Sequence, residues 1–178
     1  MNETSGIVIR TTLKPGDTGY VTFLHGKLYA EECGFDHTFE PYVAIPLSRF
    51  VKNQTNRERI WIVEKDNLVM GSVAVVKKNK QEAQLRWLLL RPEIRGRGIG
   101  KKLVGEAVAF TRNCGYSSLF LLTVDMLPRA AGIYRSFGFK VTEETEIRMW
   151  GVRMTEQKYE LKFYNYPAPS PGPVLFCL

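Results

Sequence analysis

Cysteine is scarce in this chain, histidine scarcer, and no long apolar run is present; each shortage removes a class of protein. The three cysteines among 178 residues, Cys33, Cys114 and Cys177, are odd in number and scattered, with no C-x-x-C pair. Neither a disulfide framework nor a zinc site follows from that spacing, so reduced thiols are expected. His25 and His37 are the only histidines and read as structural residues rather than ligands, so no metal is expected. No apolar stretch approaches the roughly 20 residues that span a bilayer. The opening "MNETSGIVIR" also lacks the basic and apolar regions of a secretion signal. A soluble, cytoplasmic protein without membrane contacts is the expectation.

What the chain does have is balance. With 44% hydrophobic and 24% charged residues, 178 residues suit one globular domain with a sizeable core. Twenty-five Lys and Arg stand against 18 Asp and Glu, a net charge of +7. Such a surface concentrates anionic partners, whether a phosphorylated cofactor, an acidic substrate or nucleic acid. Charge by itself does not choose among them.

Periodicity orders the chain. "IVIRTTL", Ile7 to Leu13, alternates as a strand, and Asp17 to Glu32 carries Tyr20, Phe23, Leu24 and Leu28 at helical spacing, against the weakening effect of Gly19 and Gly26. A second short helix follows Thr38, with Pro46 expected to kink or break it. "RIWIVEK" and "LVMGSVAVVKK" flank Asp66-Asn67 as a hairpin, and "AQLRWLLL" is a third strand of that set. Gly98 to Cys114 is an amphipathic helix ended by Gly115, and "SLFLLTVD" a buried strand. "LPRAAGIYRSFGF" gives a short helix between Pro128 and Gly138, before two strands, Phe139 to Arg148 and Val152 to Phe163, around Trp150-Gly151. The order β, α, α, β, β, β, α, β, α, β, β describes a mixed α/β domain. "YPAPSPGPVLFCL", with four prolines in seven residues, reads as an extended appendage.

The segment most loaded with chemistry is "LLLRPEIRGRGIGKKLVGE", Leu88 to Glu106, where a strand becomes a helix. A helix N-terminus offers amides without intrahelical partners and a partial positive charge. Glycine lets a bulky diphosphate approach those amides. Arg95, Arg97, Lys101 and Lys102 add full charges around Gly96, Gly98 and Gly100. The alternative is a tight turn with a solvated basic rim. GxxxxGK[ST] fails at both ends, since Arg95 stands five before Gly100 and Lys102 follows Lys101. GxGxxG fails too, because the glycines are spaced GxGxG.

Arg95-x-x-Gly98-x-Gly100 resembles the acetyl-CoA signature R/Q-x-x-G-x-G/A of the GNAT family of N-acetyltransferases. "LFLLTVD" resembles that family's fifth strand, and "AAGIYRSFGF" its helix ending A-x-x-x-Y-x-x-x-G-F, through Ala130, Tyr134, Gly138 and Phe139. The resemblance covers about residues 6 to 164 as one N-acetyltransferase domain, with 165 to 178 left as the proline-rich tail. It implies a mixed sheet of about seven strands, splayed between the fourth and fifth, with about four helices. Asp17 to Glu40 further resembles a bacterial subgroup also found joined to MarR-type regulators.

The resemblance implies acetyl-CoA as co-substrate and direct attack by a primary amine in a ternary complex. Leu88, Leu89 and Leu90 would hold pantetheine by their backbone, and Arg95, Gly96, Arg97, Gly98, Ile99, Gly100 and Lys101 would hold pyrophosphate. Asp125, Ala130 and Tyr134 complete the cofactor set; where the family often has an asparagine that contacts pantetheine this chain has Leu127, so that contact is either lost or supplied by Asp125. The oxyanion contact would be a backbone N–H at Leu88 or Leu89, with Leu89 chosen, and Tyr134 would donate a proton to the departing thiolate. Arg86 occupies the strand position where many members carry a catalytic glutamate. An arginine there suits an acceptor with a carboxylate or phosphate, unless it pairs with a local acid such as Glu82. Glu32 and Asp125 lead the candidates for the base, beside Glu31, Glu40, His25 and a water relay.

Two other readings compete. One is a non-catalytic acyl-CoA sensor of the same fold, which the missing strand glutamate makes tenable. The other, nucleic-acid binding through "RGRG", is disfavoured because the charges gather at one helix start rather than along a stripe. A monomer or homodimer is expected.

Overall fold

The computed structural model describes residues 6–163. The proline-rich tail, 165 to 178, lies outside the described residues. Seven strands form one sheet in the order β1-β2-β3-β4-β5-β7-β6. In chain order, β1 (Ile7–Arg10) precedes helices α1 (Asp17–Cys33) and α2 (Phe39–Asn53), then β2 (Arg59–Lys65), β3 (Leu68–Lys77) and β4 (Glu82–Leu90). α3 (Ile99–Asn113), β5 (Ser118–Val124), α4 (Pro128–Ser136), β6 (Lys140–Met149) and β7 (Val152–Lys162) complete the domain. This is the element order expected from periodicity.

Two expectations are corrected. β1 stops at Arg10 rather than Leu13, because the Arg10 guanidinium donates to the Thr12 carbonyl and both Asp17 carboxylate oxygens and folds the chain back. α2 runs unbroken through Pro46. A mid-helix proline loses one backbone bond and costs about 3 kcal/mol. Burial of Phe39, Val43, Leu47 and Phe50 on one continuous stripe offsets it, at roughly 1.5–3 kcal/mol per side chain. Gly26 has a use in α1: a Cβ there would meet Glu40 Cγ at 2.6 Å, so the glycine lets α1 and α2 approach.

The sheet separates two apolar layers. Leu103, Val104 and Ala107 of α3 and Tyr134 of α4 pack on one face with Leu85, Leu119, Leu121 and Tyr159. Val21, Leu24 and Leu28 of α1 and Val43, Leu47 and Phe50 of α2 pack on the other with Trp87, Leu89, Val124 and Met154.

Every strand pairing is antiparallel except β4 with β5, which is parallel and short. It joins only Glu82, Ala83 and Gln84 to Ser118, Leu119 and Phe120. Beyond Gln84 the two strands part. Just past that point β4 carries a bulge: Ala74 faces Arg86 but Ser72 faces Leu89, so β4 holds one extra residue. Trp87, at φ 53°, absorbs it in the left-handed region, a strained place for a bulky side chain. The bulge reverses alternation, so Arg86 and Trp87 both face the α1–α2 layer and Leu88 turns to the other.

Candidate active site

The parting of β4 and β5 opens a cleft of about 750 Å³. Its floor is Leu88, Leu89 and Leu90, and the α3 loop supplies Arg95, Gly96, Gly98, Gly100 and Lys101. Ala130, Ile133 and Tyr134 of α4 face Leu28, Tyr29 and Glu32 of α1 across it. Most of the sequence-predicted set is therefore brought together. Ile99 contributes no side chain, because that is buried among Leu103, Val104 and Phe110 in the core; only its amide stands at the start of α3. Arg97, half-buried in the loop, does not line the cleft.

The loop is shaped by left-handed residues. Gly96 (φ 76°) and Gly98 (φ 77°) turn the chain into α3, whose N-cap, Gly98, makes no side-chain capping bond. Amides of the first turn are thus left for a ligand. Gly100 is needed for space, since a Cβ would sit 3.0 Å from Ile133 Cδ1 of α4.

Peptide geometry decides which β4 amide faces the cleft. Ser72 Oγ donates to the Trp87 carbonyl at 2.8 Å, so that carbonyl points to β3 and, in a trans peptide, the Leu88 N–H points away from it. Further along, the Arg91 N–H donates to the Met70 carbonyl, and ladder alternation turns Leu89, opposite Ser72, toward β3 as well. Leu88, not Leu89, presents its N–H to the gap. Leu89, expected for the oxyanion contact, turns its N–H toward β3 instead, an orientation set by a bulge that strand alternation does not reveal.

Glu32 and Asp125, the leading sequence candidates for the base, have other partners. Glu32 takes a forked pair of hydrogen bonds from Arg95, at 2.7 and 3.0 Å, while Arg95 Nε holds the Leu90 carbonyl at 2.8 Å. Asp125 is exposed, lines neither the cleft nor its neighbouring cavity, and accepts the Thr155 N–H at 3.2 Å. Neither carboxylate is brought beside Arg86.

A second, smaller cavity of about 100 Å³ adjoins the cleft. The two share Tyr29, Leu88, Leu127 and Tyr134 as a common wall. Phe35, Phe39, Tyr42, Trp87 and Trp150 make the small cavity aromatic, and Gln84, Arg86, His25 and Glu156 are its main polar groups. Tyr134 is 5% exposed, and desolvation pushes its hydroxyl well above the ordinary tyrosine range, so the phenol keeps its proton. His25 is 3% exposed, and burial pulls its pKa down to about 4 against a backbone bond from Nδ1 to the Val21 carbonyl, with Arg86 lowering it further. The ring is neutral near pH 7.

Arg86 has no ion pair or hydrogen bond among the described residues. Its guanidinium lies 5.0 Å from the Trp87 ring and 5.8 Å from the Tyr42 ring, and burial lowers its pKa. Glu82, the local acid considered for it, accepts from Asn79 instead. Among the described residues no cluster of three or more His, Cys, Asp or Glu could hold a metal ion, and no helix is long and apolar enough to cross a membrane.

Sequence reasoning missed Tyr29 and Glu156. Tyr29 had a signal: it stands one helical turn from His25 and nearly another from Glu32, on one face of α1. Glu156 had none, because only the insertion of β7 beside β5 brings it opposite Val124.

The chain matches the acetyltransferase (GNAT) family over residues 26–139. It is 36% identical over 118 residues to an uncharacterised N-acetyltransferase of Schizosaccharomyces pombe, covering 65% of this chain and 72% of that one. To human N-acetyltransferase 8B it is 31% identical over 117 residues, covering 63% of this chain and 51% of that protein, so it spans about half the length of this relative. In fold it is similar to an acetyltransferase from Streptococcus agalactiae (TM-score 0.72, 20% identity, 89% and 99% of the two chains covered). It is also similar to a GNAT acetyltransferase from Elizabethkingia anophelis with acetyl-CoA bound (TM-score 0.62, 12% identity, 89% and 99% covered). A family match over well more than half the chain, on a sheet that parts between β4 and β5 above a glycine-shaped helix start, places the protein in the GNAT family of acetyltransferases.

Proposed function

We propose that the protein is an N-acetyltransferase that moves the acetyl group of acetyl-CoA to a primary amine carrying an acidic group, by direct attack in a ternary complex. The observation that carries this reading is the shared wall: a long cleft and a small polar cavity meet at Leu88 and Tyr134, where β4 and β5 part. The acetyl-CoA of the Elizabethkingia neighbour supports the choice of co-substrate. Pyrophosphate is assigned to the loop amides from Arg95 to Lys101 and the start of α3. Pantetheine is assigned to the free edge of β4, where Leu88 offers both its N–H and its carbonyl.

The amine nitrogen attacks the thioester carbon, a C–N bond forms, and the carbonyl electron pair moves to oxygen, facing the Leu88 N–H. Re-formation of the carbonyl breaks the C–S bond, the thiolate takes the Tyr134 proton, and the surplus nitrogen proton passes to solvent, from which the phenol is reprotonated. The products are the N-acetylated amine and CoA. Holding both reactants in adjoining cavities supplies much of the acceleration, because the thioester is already activated.

The unpaired Arg86 supports an acidic group on the acceptor. The same reading has the protein acting in the cytoplasm as a monomer or homodimer. Its link to the bacterial subgroup allied to MarR-type regulators rests on Asp17 to Glu40 alone, and the curated relatives named above are fungal and human.

Incubation with acetyl-CoA and a panel of primary amines should release free thiol in step with acetylated amine, read by a thiol reagent and mass spectrometry. Tight acetyl-CoA binding with no release on any amine would replace this reading by that of a non-catalytic sensor.

A further inference from the structure

Two oppositely charged residue types line the small cavity without an ion pair or hydrogen bond among the described residues. Arg86 enters from β4, two residues past the last β4–β5 pair, and Glu156 enters from β7, opposite the last residue of β5. Neither makes a hydrogen bond or ion pair among the described residues, and they do not pair with each other. His25, which also lines the cavity, is held neutral with Nδ1 on the Val21 carbonyl and adds no competing charge.

Desolvating a guanidinium without a counter-charge is unfavourable. A carboxylate placed against Arg86 would relieve it through charge-assisted hydrogen bonds. An ammonium on the same ligand would face Glu156 across the gap. A zwitterion therefore fits the charge pattern, whereas a polycation would set its second ammonium against Arg86. The volume sets a size: at about 100 Å³ the cavity is smaller than the roughly 150 Å³ site that admits benzene. The aromatic walls suit an uncharged remainder.

We propose, resting on the acetyl-transfer reading above, that the acceptor is a free zwitterionic α-amino acid with a small uncharged side chain, its carboxylate on Arg86 and its ammonium on Glu156. Glu156 takes one proton from the ammonium, which frees the nitrogen lone pair for attack, and passes it to water; once the C–N bond has formed it takes the second nitrogen proton, leaving the amide N–H. The thiolate leaves with the Tyr134 proton, and the phenol regains one from solvent. Arg86 thus replaces a catalytic acid on β4 with a selector, and the acid has moved to β7.

The test compares the wild-type protein on four amine classes with acetyl-CoA: alanine and the other small neutral amino acids, alaninamide, ethylamine and spermidine. At least one neutral amino acid should exceed its own carboxamide and decarboxylated amine by about 10- to 100-fold in kcat/KM. Arg86→Gln should shrink that ratio to within about threefold. Glu156→Gln should lower kcat and remove the acidic limb of the pH profile, with folding of both variants checked by circular dichroism. Equal or better transfer to carboxamides, decarboxylated amines or spermidine overturns the zwitterion assignment and leaves acetyl transfer standing. No transfer to any of the four overturns acetyl transfer to small amines and this assignment with it.

Discussion

The long cleft and the small cavity share a wall, yet they are made differently. The cleft is built mainly from two contiguous stretches, 88 to 101 and 126 to 134, and its chemistry is largely backbone: a bulged strand edge, a left-handed glycine turn and an uncapped helix start. The cavity draws on α1, α2, β4, β5, α4 and β7 and works through side chains. A site made of backbone needs only shape, so many sequences can furnish it and a short motif can mark it. A site made of side chains from six elements can change its ligand by single substitutions while the fold stays the same.

That contrast can be broken first from the cleft side. Gly98→Glu puts a side chain on a residue at φ 77° and a carboxylate at the positive end of α3. Measurable acetyl-CoA binding should disappear in calorimetry, although nothing in the small cavity has been altered. Retained affinity would remove the phosphate from this loop. Tyr134→Phe tests the shared wall. Turnover should fall by about 10 to 10³-fold, with acetyl-CoA affinity within about threefold of wild type. A fully active variant would take Tyr134 out of proton transfer and leave it as packing against Phe139 and Tyr159.

The smallest effect belongs to the cavity side and is a matter of pH. His25 has a folded pKa of about 4, below the ordinary 6.5, so the folded state binds fewer protons there than the unfolded chain. Its contribution to stability is full above pH 6.5 and is lost as pH falls toward 4. By about pH 5.5 the loss should reach about 1 kcal/mol. His25→Asn should flatten this part of the curve of Tm against pH; an unchanged slope would mean that the ring is not the group responsible.

Legibility followed the same division. The helix start at Gly98, the hairpin at Asp66-Asn67 and the Arg95, Gly98, Gly100 spacing were readable because each depends on residues a few positions apart. Pro46 misled, since its cost is local but the buried stripe that overrides it is formed by packing on α1 and the sheet. Sequence left Leu88 and Leu89 equally open as the residue facing the gap, since the bulge at Trp87 appears only when β3 is laid beside β4. Glu32 looked available in sequence, and Arg95, 63 residues away, occupies it in the fold.

The sequence by itself determined the order of elements, the glycine-shaped start of α3 and the position of Tyr134 on a helix that ends in Gly-Phe. These rest on backbone conformation and helical periodicity, which act over a few residues. Only the tertiary structure decided that β4 and β5 pair for three residues and then part, that Leu88 faces the gap, and that Arg86 and Glu156, 70 positions apart in the chain, come to line one cavity. Those outcomes depend on which strands become neighbours, and strand pairing is settled by burial of both sheet faces at once rather than by any local stretch of chain.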